Sequence, residues 1–137
     1  MKKTKFIAVI LLTFFLPACT TAESLLAERG KGGKVFVCQA GYDRAYQATL
    51  SVMRTRHLKV IRKDKKQGYI LVSDTIRFLN GGGRVAVYLY ELEPSKTQIE
   101  IQSKPYFFIP IPTIYWAAER RASSLEKDIR AALAAAA

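Results

Sequence analysis

Histidine and cysteine are scarce in this sequence, which excludes several kinds of catalytic centre. The 137 residues include one histidine, His57, and two cysteines, Cys19 and Cys38. A structural zinc site uses about four such ligands. A hydrolase with a nucleophile elbow needs the pattern G-x-S-x-G, which does not occur here. We therefore predict that the chain is not an enzyme and that it binds neither a metal ion nor a cofactor.

The sequence has no apolar run long enough to span a membrane, but a shorter run lies near its start. Residues 6–16 are largely apolar and follow the cationic stretch "MKKTK", whereas a membrane span needs about 20 apolar residues. A cationic start, an apolar segment of about 7–15 residues and a small residue before the cleavage point are typical of an export signal. We therefore expect residues 1–18 to be a signal peptide.

The end of this segment, Leu16-Pro17-Ala18-Cys19, resembles the lipobox of bacterial lipoproteins. The resemblance implies that a diacylglyceryl group is attached to the thiol of Cys19. It also implies that the chain is cut before this residue and that the new amino terminus is acylated. Since Thr20 follows and not an aspartate, it further implies the outer membrane, facing the periplasm, in a Gram-negative cell. An ordinary cleaved secretory signal and an uncleaved anchor are the alternatives.

Basic residues outnumber acidic residues by 22 to 11, a formal net charge of +11. Removing Lys2, Lys3 and Lys5 with the signal leaves 19 against 11, or +8. In the cell envelope the polyanions are lipid headgroups and cell-wall polymers, so we expect no nucleic-acid partner. The candidate anion-binding site is the basic turn, formed by Arg62, Lys63, Lys65 and Lys66. An ordinary solvated turn is the alternative.

Residues 19–33 are polar and glycine-containing, which predicts a flexible tether between the lipid and a folded domain. From Lys34 to residue 137 the pattern predicts a single α+β domain with the order β-α-β-β-β-β-α. Short turns between strands predict a mainly antiparallel sheet with both helices on one face, a two-layer sandwich. This order resembles the small helix-grip domains of envelope lipoproteins.

Two strands carry informative side-chain patterns. Residues 35–39 are apolar on both faces, which predicts a central strand. Residues 97–104 alternate between apolar and polar side chains, which predicts that one face of this strand is solvated. Cys38 lies in the first of these strands and is predicted to be a small buried hydrophobe, with intermolecular pairing as the alternative. His57 is predicted at the end of the first helix, where it complements the helix dipole.

The stretch "KPYFFIPIPTIYW", residues 104–116, is rich in apolar and aromatic residues and contains three prolines. Proline opposes both a regular helix and a central strand. If exposed, such a patch would mark a protein contact. We therefore predict docking of another envelope protein through Tyr106, Phe107, Phe108, Ile109, Ile111 and Trp116. Packing under the last helix and insertion into the lipid interface are the alternatives.

Taken together, these patterns predict a lipid-anchored envelope protein that acts as a non-catalytic binding or scaffold module and docks another envelope protein. The alternative function is binding of anionic lipid or cell-wall polymer through the basic turn. The two predictions differ in their dependence on salt, since only exposed charge is strongly screened.

Overall fold

A computed structural model describes residues 22–74, 82–105 and 112–136 of the chain. Its elements are α1 (Ala22–Leu26), β1 (Lys34–Cys38), α2 (Tyr42–Thr55), β2 (Lys59–Asp64), β3 (Tyr69–Asp74), β4 (Gly83–Glu93), β5 (Lys96–Pro105) and α3 (Pro112–Ala135). The strands form an antiparallel sheet in the order β1-β5-β4-β3-β2. The predicted α+β two-layer sandwich is confirmed, and a short helix precedes the predicted elements.

The two long helices pack on the same face of the sheet, here called the inner face. In α2, apolar residues recur at three- and four-residue spacing and form one buried stripe. α3 adds a second stripe through Ala122, Leu125, Ile129 and Leu133. The two helices are linked by Arg56, whose Nε donates to Asp128 Oδ2 at 2.6 Å. Together they cover the inward side chains of all five strands.

The last helix begins earlier than the prolines suggested. We expected the prolines to keep the stretch 104–116 out of a regular helix and out of a central strand, but β5 extends to Pro105 and α3 starts at Pro112. Proline is well suited to the first position of a helix because the amide N–H it lacks would have no partner inside the helix. The expectation was therefore wrong for the carboxyl-terminal part of this stretch, where Pro112 opens the helix instead of preventing it.

β1 is an edge strand and not the central strand that its sequence suggested. Phe36 points inward and is buried, with the guanidinium carbon of Arg130 4.4 Å from the ring centroid. Val35 and Val37 point outward and are 52% and 41% exposed. Apolar residues on both sides of a strand predict burial only when both faces are covered, and only the inner face of β1 is covered by described residues.

Residues 22–33, here called the N-terminal strap, pack across the outer face of the sheet. The sequence predicted a flexible tether here, and the structure corrects this because Leu25 is fully buried. The buried outer cluster consists of Leu25, Tyr69, Leu71, Ala86 and Tyr88. The outer face of β5, which we expected to be solvated, is covered as well: Glu100 is 2% exposed and Gln102 is 5% exposed.

In the three described ranges, no helix has both the length and the apolar character that a membrane crossing requires. The predicted signal peptide lies in residues 1–21, which are outside the described part of the chain.

Candidate functional site

A cleft of about 430 Å³ lies at one edge of the sheet, between the strap, β5 and the first half of α3. The strap supplies Glu28, Gly32 and Gly33, β1 supplies Lys34, β5 supplies Ile101 to Lys104, and α3 supplies Ala118, Glu119 and Ala122. The volume lies within the range of about 300–1,000 Å³ that ligand pockets occupy. Four neighbouring elements, from three separate segments of the chain, therefore build one concave site.

The cleft exists because β1 is shorter than β5. β1 pairs with β5 from Cys38 opposite Thr97 to Lys34 opposite Ile101. β5 continues to Pro105, where its other side is still paired with β4. Past Ile101, none of the described strands pairs with the cleft side of β5. Alternate residues of a strand direct their backbone groups to opposite sides. The carbonyl oxygen of Lys104 lies beside Gly83 of β4, so Gln102 and Lys104 face β4. Within residues 102–104, Ser103 therefore presents its backbone N–H and C=O toward the cleft.

Two glycines turn the chain away from this edge. A Cβ atom on Gly33 would lie 2.7 Å from the carbonyl oxygen of Ile101 and 2.9 Å from Cγ of Gln102, so a side chain cannot fit there. Gly32 has a φ of +112°, which side chains other than that of glycine rarely adopt. We expected these glycines to provide flexibility. In the structure they move the strap onto the outer face and leave the edge of β5 open.

Polar contacts between the strap and β5 hold the outer wall of the cleft. Gln102 Nε2 donates to the carbonyl oxygen of Glu28 and to Glu100 Oε1, both at 2.7 Å. The Lys104 ammonium group forms an ion pair with the carboxylate of Glu28. The remaining amide atom, Gln102 Oε1, is buried and accepts no hydrogen bond from the described residues. The wall therefore contains an unsatisfied acceptor, which is uncommon in folded proteins.

The buried carboxylate of Glu100 fixes the strap next to this wall. Its Oε2 atom accepts hydrogen bonds from the Tyr90 hydroxyl at 2.8 Å and from the Gly30 amide at 3.2 Å, in addition to the Gln102 bond. A buried charge is tolerated only when donors of this kind replace water. The Arg29 guanidinium lies 4.9 Å from the ring centroid of Tyr90, at a distance typical of a cation–π contact.

A second tyrosine binds the start of the strap. The Tyr88 hydroxyl donates to the carbonyl oxygen of Leu25 at 2.6 Å, and the ring is fully buried. Burial, and next the negative charge of Glu100, raise the pKa of Tyr88 to about 12. The phenol is therefore neutral at physiological pH and acts as a hydrogen-bond donor, so its role at this site is to hold the strap.

The inner wall of the cleft combines small side chains with charged groups. Ala118 and Ala122, one helical turn apart on α3, are buried and leave space above Ser103. Lys34 Nζ donates to Ser123 Oγ at 3.0 Å and lies 4.0 Å from Glu126 Oε2. Glu119 is exposed, and no described residue forms an ion pair or hydrogen bond with its carboxylate. One anionic group at the rim is thus uncompensated by the described residues.

The predicted docking surface is only partly described. Trp116 lies in α3 and is 58% exposed, beside a shallower cleft of about 320 Å³ that it forms with Glu119, Arg120 and Ser123. The other candidates, Tyr106, Phe107, Phe108, Ile109 and Ile111, lie outside the described residues. Cys19 also lies outside them, so its lipidation stays a prediction.

The basic turn is exposed, but its four cations are not equivalent. Lys65 Nζ lies 2.7 Å from Asp43 Oδ1, and the Lys65 carbonyl accepts a hydrogen bond from the Tyr42 hydroxyl. The turn is closed locally by Asp64, whose Oδ1 accepts from the Gln67 amide at 2.9 Å. The remaining candidates, Arg62, Lys63 and Lys66, are exposed side chains without a built cavity between them.

Cys38 and His57 do not form a catalytic pair. Cys38 precedes the start of α2 and His57 follows its end, and a 14-residue helix is about 21 Å long. The Cys38 thiol donates to the carbonyl oxygen of Thr97 at 3.3 Å, and burial raises its pKa, which keeps it protonated. Among the residues that the structure describes, no three His, Cys, Asp or Glu side chains are arranged to hold a metal ion.

The residues of the cleft were missed at the sequence level. The signal that could have indicated them is the small polar Ser103 at an inward position of β5, combined with alanines at positions 118 and 122 of a helix. Small side chains on both facing elements leave volume between them. The contributions of Glu28 and Gln102 had no local signal, because they depend on the strap folding back onto the sheet.

Comparisons with known proteins give little information about the family or the function of this chain. No family model matches the chain, and no curated protein matches it. Among solved structures, one match is the Zhui aromatase/cyclase from Streptomyces sp. R1128, with a TM-score of 0.41 and 12% identity. The match covers 75% of this chain and 90% of that enzyme.

The comparison corrects the predicted function. The predicted non-catalytic scaffold that docks another envelope protein, with its alternative of anion binding by the basic turn, is contradicted, because the matched structure is an enzyme. For the same reason the comparison gives no support to the prediction that the chain lacks catalytic activity. At this low similarity the match transfers neither a reaction nor a ligand to this chain. The function of this chain therefore has to be argued from its own cleft.

Proposed function

We propose that this chain is a ligand-binding protein whose site is the cleft between α3 and the edge of β5. The observation that carries the proposal is a concave site of about 430 Å³ built from four neighbouring elements and lined by both apolar and polar groups. Pockets of this kind are where proteins bind ligands.

The lining indicates a ligand with little net charge. The lining contains two cationic side chains, Lys34 and Lys104, and two anionic ones, Glu28 and Glu119, so its formal net charge is zero although Glu119 is not paired with either lysine. The chain as a whole carries +11, so the cleft is locally more neutral than the protein around it. Ile101 and the two alanines of α3 form the apolar part of the lining, which suits a ligand with an apolar side and a polar side.

The proposal is tested by a thermal-shift screen of the full chain in dodecylmaltoside against a library of small neutral fragments. We expect binders that raise the unfolding temperature, since a ligand at 100 times its Kd adds about 2.7 kcal/mol to stability. Ser103→Leu fills the cleft from its floor and should abolish the shift. Ser51→Leu, on the exposed face of α2, is the matched control and should retain it. Binders that act equally on both variants, or no binders, would refute the proposal.

We also propose that the protein is held at an envelope membrane by lipid on Cys19. The lipobox resemblance supports this, and the docked strap adds a consequence. Only Thr20 and Thr21 separate Cys19 from the start of α1, and three residues reach at most about 10 Å. The folded domain would therefore stay close to the membrane surface.

The lipid anchor is tested by expression in a Gram-negative host with an alkyne analogue of palmitate. Wild-type chain should incorporate the label and sediment with the membranes, and Cys19→Ser should lose the label. Cys38→Ser is the matched control and should be labelled like the wild type. Retention of the label in Cys19→Ser would contradict lipidation at this residue.

A further inference from the structure

We infer that the ligand of the cleft is an extended peptide that pairs with the open edge of β5. The peptide occupies the position next to β5 that is not filled by β1, which begins at Lys34. This inference rests on the proposed function, because it names the class of ligand for the same site. It concerns the cleft alone and not the aromatic stretch 104–116.

The cleft follows a strand edge. Ile101, Gln102, Ser103 and Lys104 all line it. Successive strand residues point to opposite faces of a sheet, so a cavity on one face would be lined by every second residue. A cavity lined by four consecutive residues lies beside the strand, where backbone groups are presented. An extended peptide satisfies those groups by continuing the sheet, the interaction known as β-augmentation.

The position next to β5 is already a strand position. β1 occupies it as far as Lys34, and its register with β5 is regular through all five pairs. Gly33 still lies against Ile101 and Gln102, so the position that the described strands leave open begins at Ser103. A peptide placed there meets the same spacing and direction of hydrogen bonds that β1 uses.

The two walls of the cleft suit the alternating side chains of an extended peptide. The inner wall presents Ala118 and Ala122, which are small and apolar. The outer wall presents Glu28, Gln102 and Lys104, which are polar. A peptide strand directs its side chains alternately to the two walls. We therefore expect apolar residues at every second position and polar residues between them.

The charge at the rim of the cleft complements a basic residue in the peptide. Lys104 is paired with Glu28, and Lys34 is bonded to Ser123 and lies near Glu126. The carboxylate of Glu119 has no such partner among the described residues, although it lines both clefts. A lysine or arginine in the peptide would supply the missing charge, so we expect one basic residue opposite Glu119.

The test uses the full chain in dodecylmaltoside and a synthetic library of acetylated, amidated nonapeptides with a central lysine and variable flanking positions. Binders are selected on the immobilised chain, and their Kd values are measured by fluorescence anisotropy. Each binder is then resynthesised in two forms, with every second backbone amide methylated in one register or the other. Methylation removes the N–H donor and blocks strand pairing.

The result expected is an asymmetry between the two methylated forms. One register faces β5 and should weaken binding by about tenfold or more, because buried acceptors are left unpaired. In the other register the methylated amides point away from β5. Methylation there should leave the Kd within about twofold, since the peptide pairs with a strand on one side only. Ser103→Leu should abolish binding, and Ser51→Leu should not. Glu119→Lys should lower the affinity for peptides with a central lysine and raise it for the same peptides with a central glutamate.

The failures are distinguishable. If fragments bind in the thermal-shift screen and no peptide is selected, the proposed function stands and the peptide inference is overturned. If selected peptides bind equally well in both methylated forms, recognition does not use the strand edge, and the inference is again overturned. If neither fragments nor peptides bind, both the proposed function and the peptide inference are overturned. If the Ser103 amide of the free chain already resists hydrogen exchange and no peptide binds, another part of this chain occupies the edge, which also overturns the inference.

Discussion

The two faces of the sheet are covered in different ways. The inner face lies under α2 and α3, helices of 14 and 24 residues that contribute apolar stripes. The outer face lies under a five-residue helix and a turn, which are held by Leu25 and by hydrogen bonds to Glu100, Tyr88 and Gln102. The comparison shows that a polar strand face is also buried when a backbone segment supplies the hydrogen-bonding groups that water would supply.

The difference has an energetic consequence. The helices α2 and α3, which cover the inner face, are part of the hydrophobic core. They should therefore detach from the sheet only when the whole domain unfolds. The strap makes fewer apolar contacts, and segments of this kind open locally at a lower free energy than the global unfolding. Because the strap forms one wall of the cleft, the stability of the outer face also determines whether the candidate site is complete.

The largest effect is expected for truncation of the inner core. Ile129 is fully buried in α3, and Ile129→Ala should lower the free energy of unfolding by about 3 kcal/mol, within the usual range of about 2–5. Urea denaturation of the full chain measures it. Lys127→Ala, exposed on the same helix, is the control and should change stability by less than about 0.5 kcal/mol. A loss below about 1 kcal/mol for Ile129→Ala would show that α3 is not part of the cooperative core.

A smaller effect is expected for the strap. Leu25 is as fully buried as Ile129, but Leu25→Ala should lower the free energy of unfolding by only about 1–2 kcal/mol, because the strap can detach before the domain unfolds. Hydrogen exchange in residues 22–33 should accelerate while exchange in α2 stays unchanged. Leu26→Ala, at the half-buried neighbouring position, is the matched control. A loss equal to that of Ile129→Ala would mean that the two covers form one cooperative unit.

An effect similar in size to that of the strap is expected from titration of the outer face. The pKa of Tyr88 is raised to about 12 in the folded protein from an ordinary value of 10.0, first by burial and then by Glu100. The neutral phenol is therefore favoured by folding. This contribution is fully present below pH 10 and is lost as the pH rises through about 12.

The pH prediction is measured by urea denaturation at several values between about pH 9 and pH 11.5. Wild-type stability should fall more steeply over this interval than the stability of Tyr88→Phe, which has no hydroxyl to titrate. Other tyrosines with raised pKa values, such as Tyr90, contribute to both curves and cancel in the comparison. Parallel curves would show that the Tyr88 phenol is not held in its neutral form by the folded state.

The inner face was largely predictable from the sequence. The stripe of α2 was visible as apolar residues at three- and four-residue spacing, and the short polar turns between strands indicated antiparallel pairing. The edge position of β1 was not predictable from Val35 and Val37, because local pattern does not report which strands become neighbours. Which strands become neighbours depends on pairing between residues far apart in the sequence, such as Lys34 and Ile101.

The outer face and the cleft were not predictable for a related reason. In isolation the strap is short, polar and glycine-containing, which is also the composition of a tether. Its docking depends on partners about 60 to 76 residues away, including the pair formed by Tyr88 and Leu25 and the pair formed by Lys104 and Glu28. In a strand whose residues alternate between apolar and polar, the sequence pattern is the same whether a glutamate such as Glu100 is buried or solvated.

The central claim is that the strap belongs to the folded domain and completes the cleft. The most direct measurement is the hydrogen exchange of the Gly30 amide in the full wild-type chain, because this amide donates to the buried carboxylate of Glu100. We predict exchange slowed by about a hundredfold or more relative to an unstructured peptide. Exchange at the unstructured rate would show that residues 22–33 are a tether after all, and that the cleft lacks its outer wall.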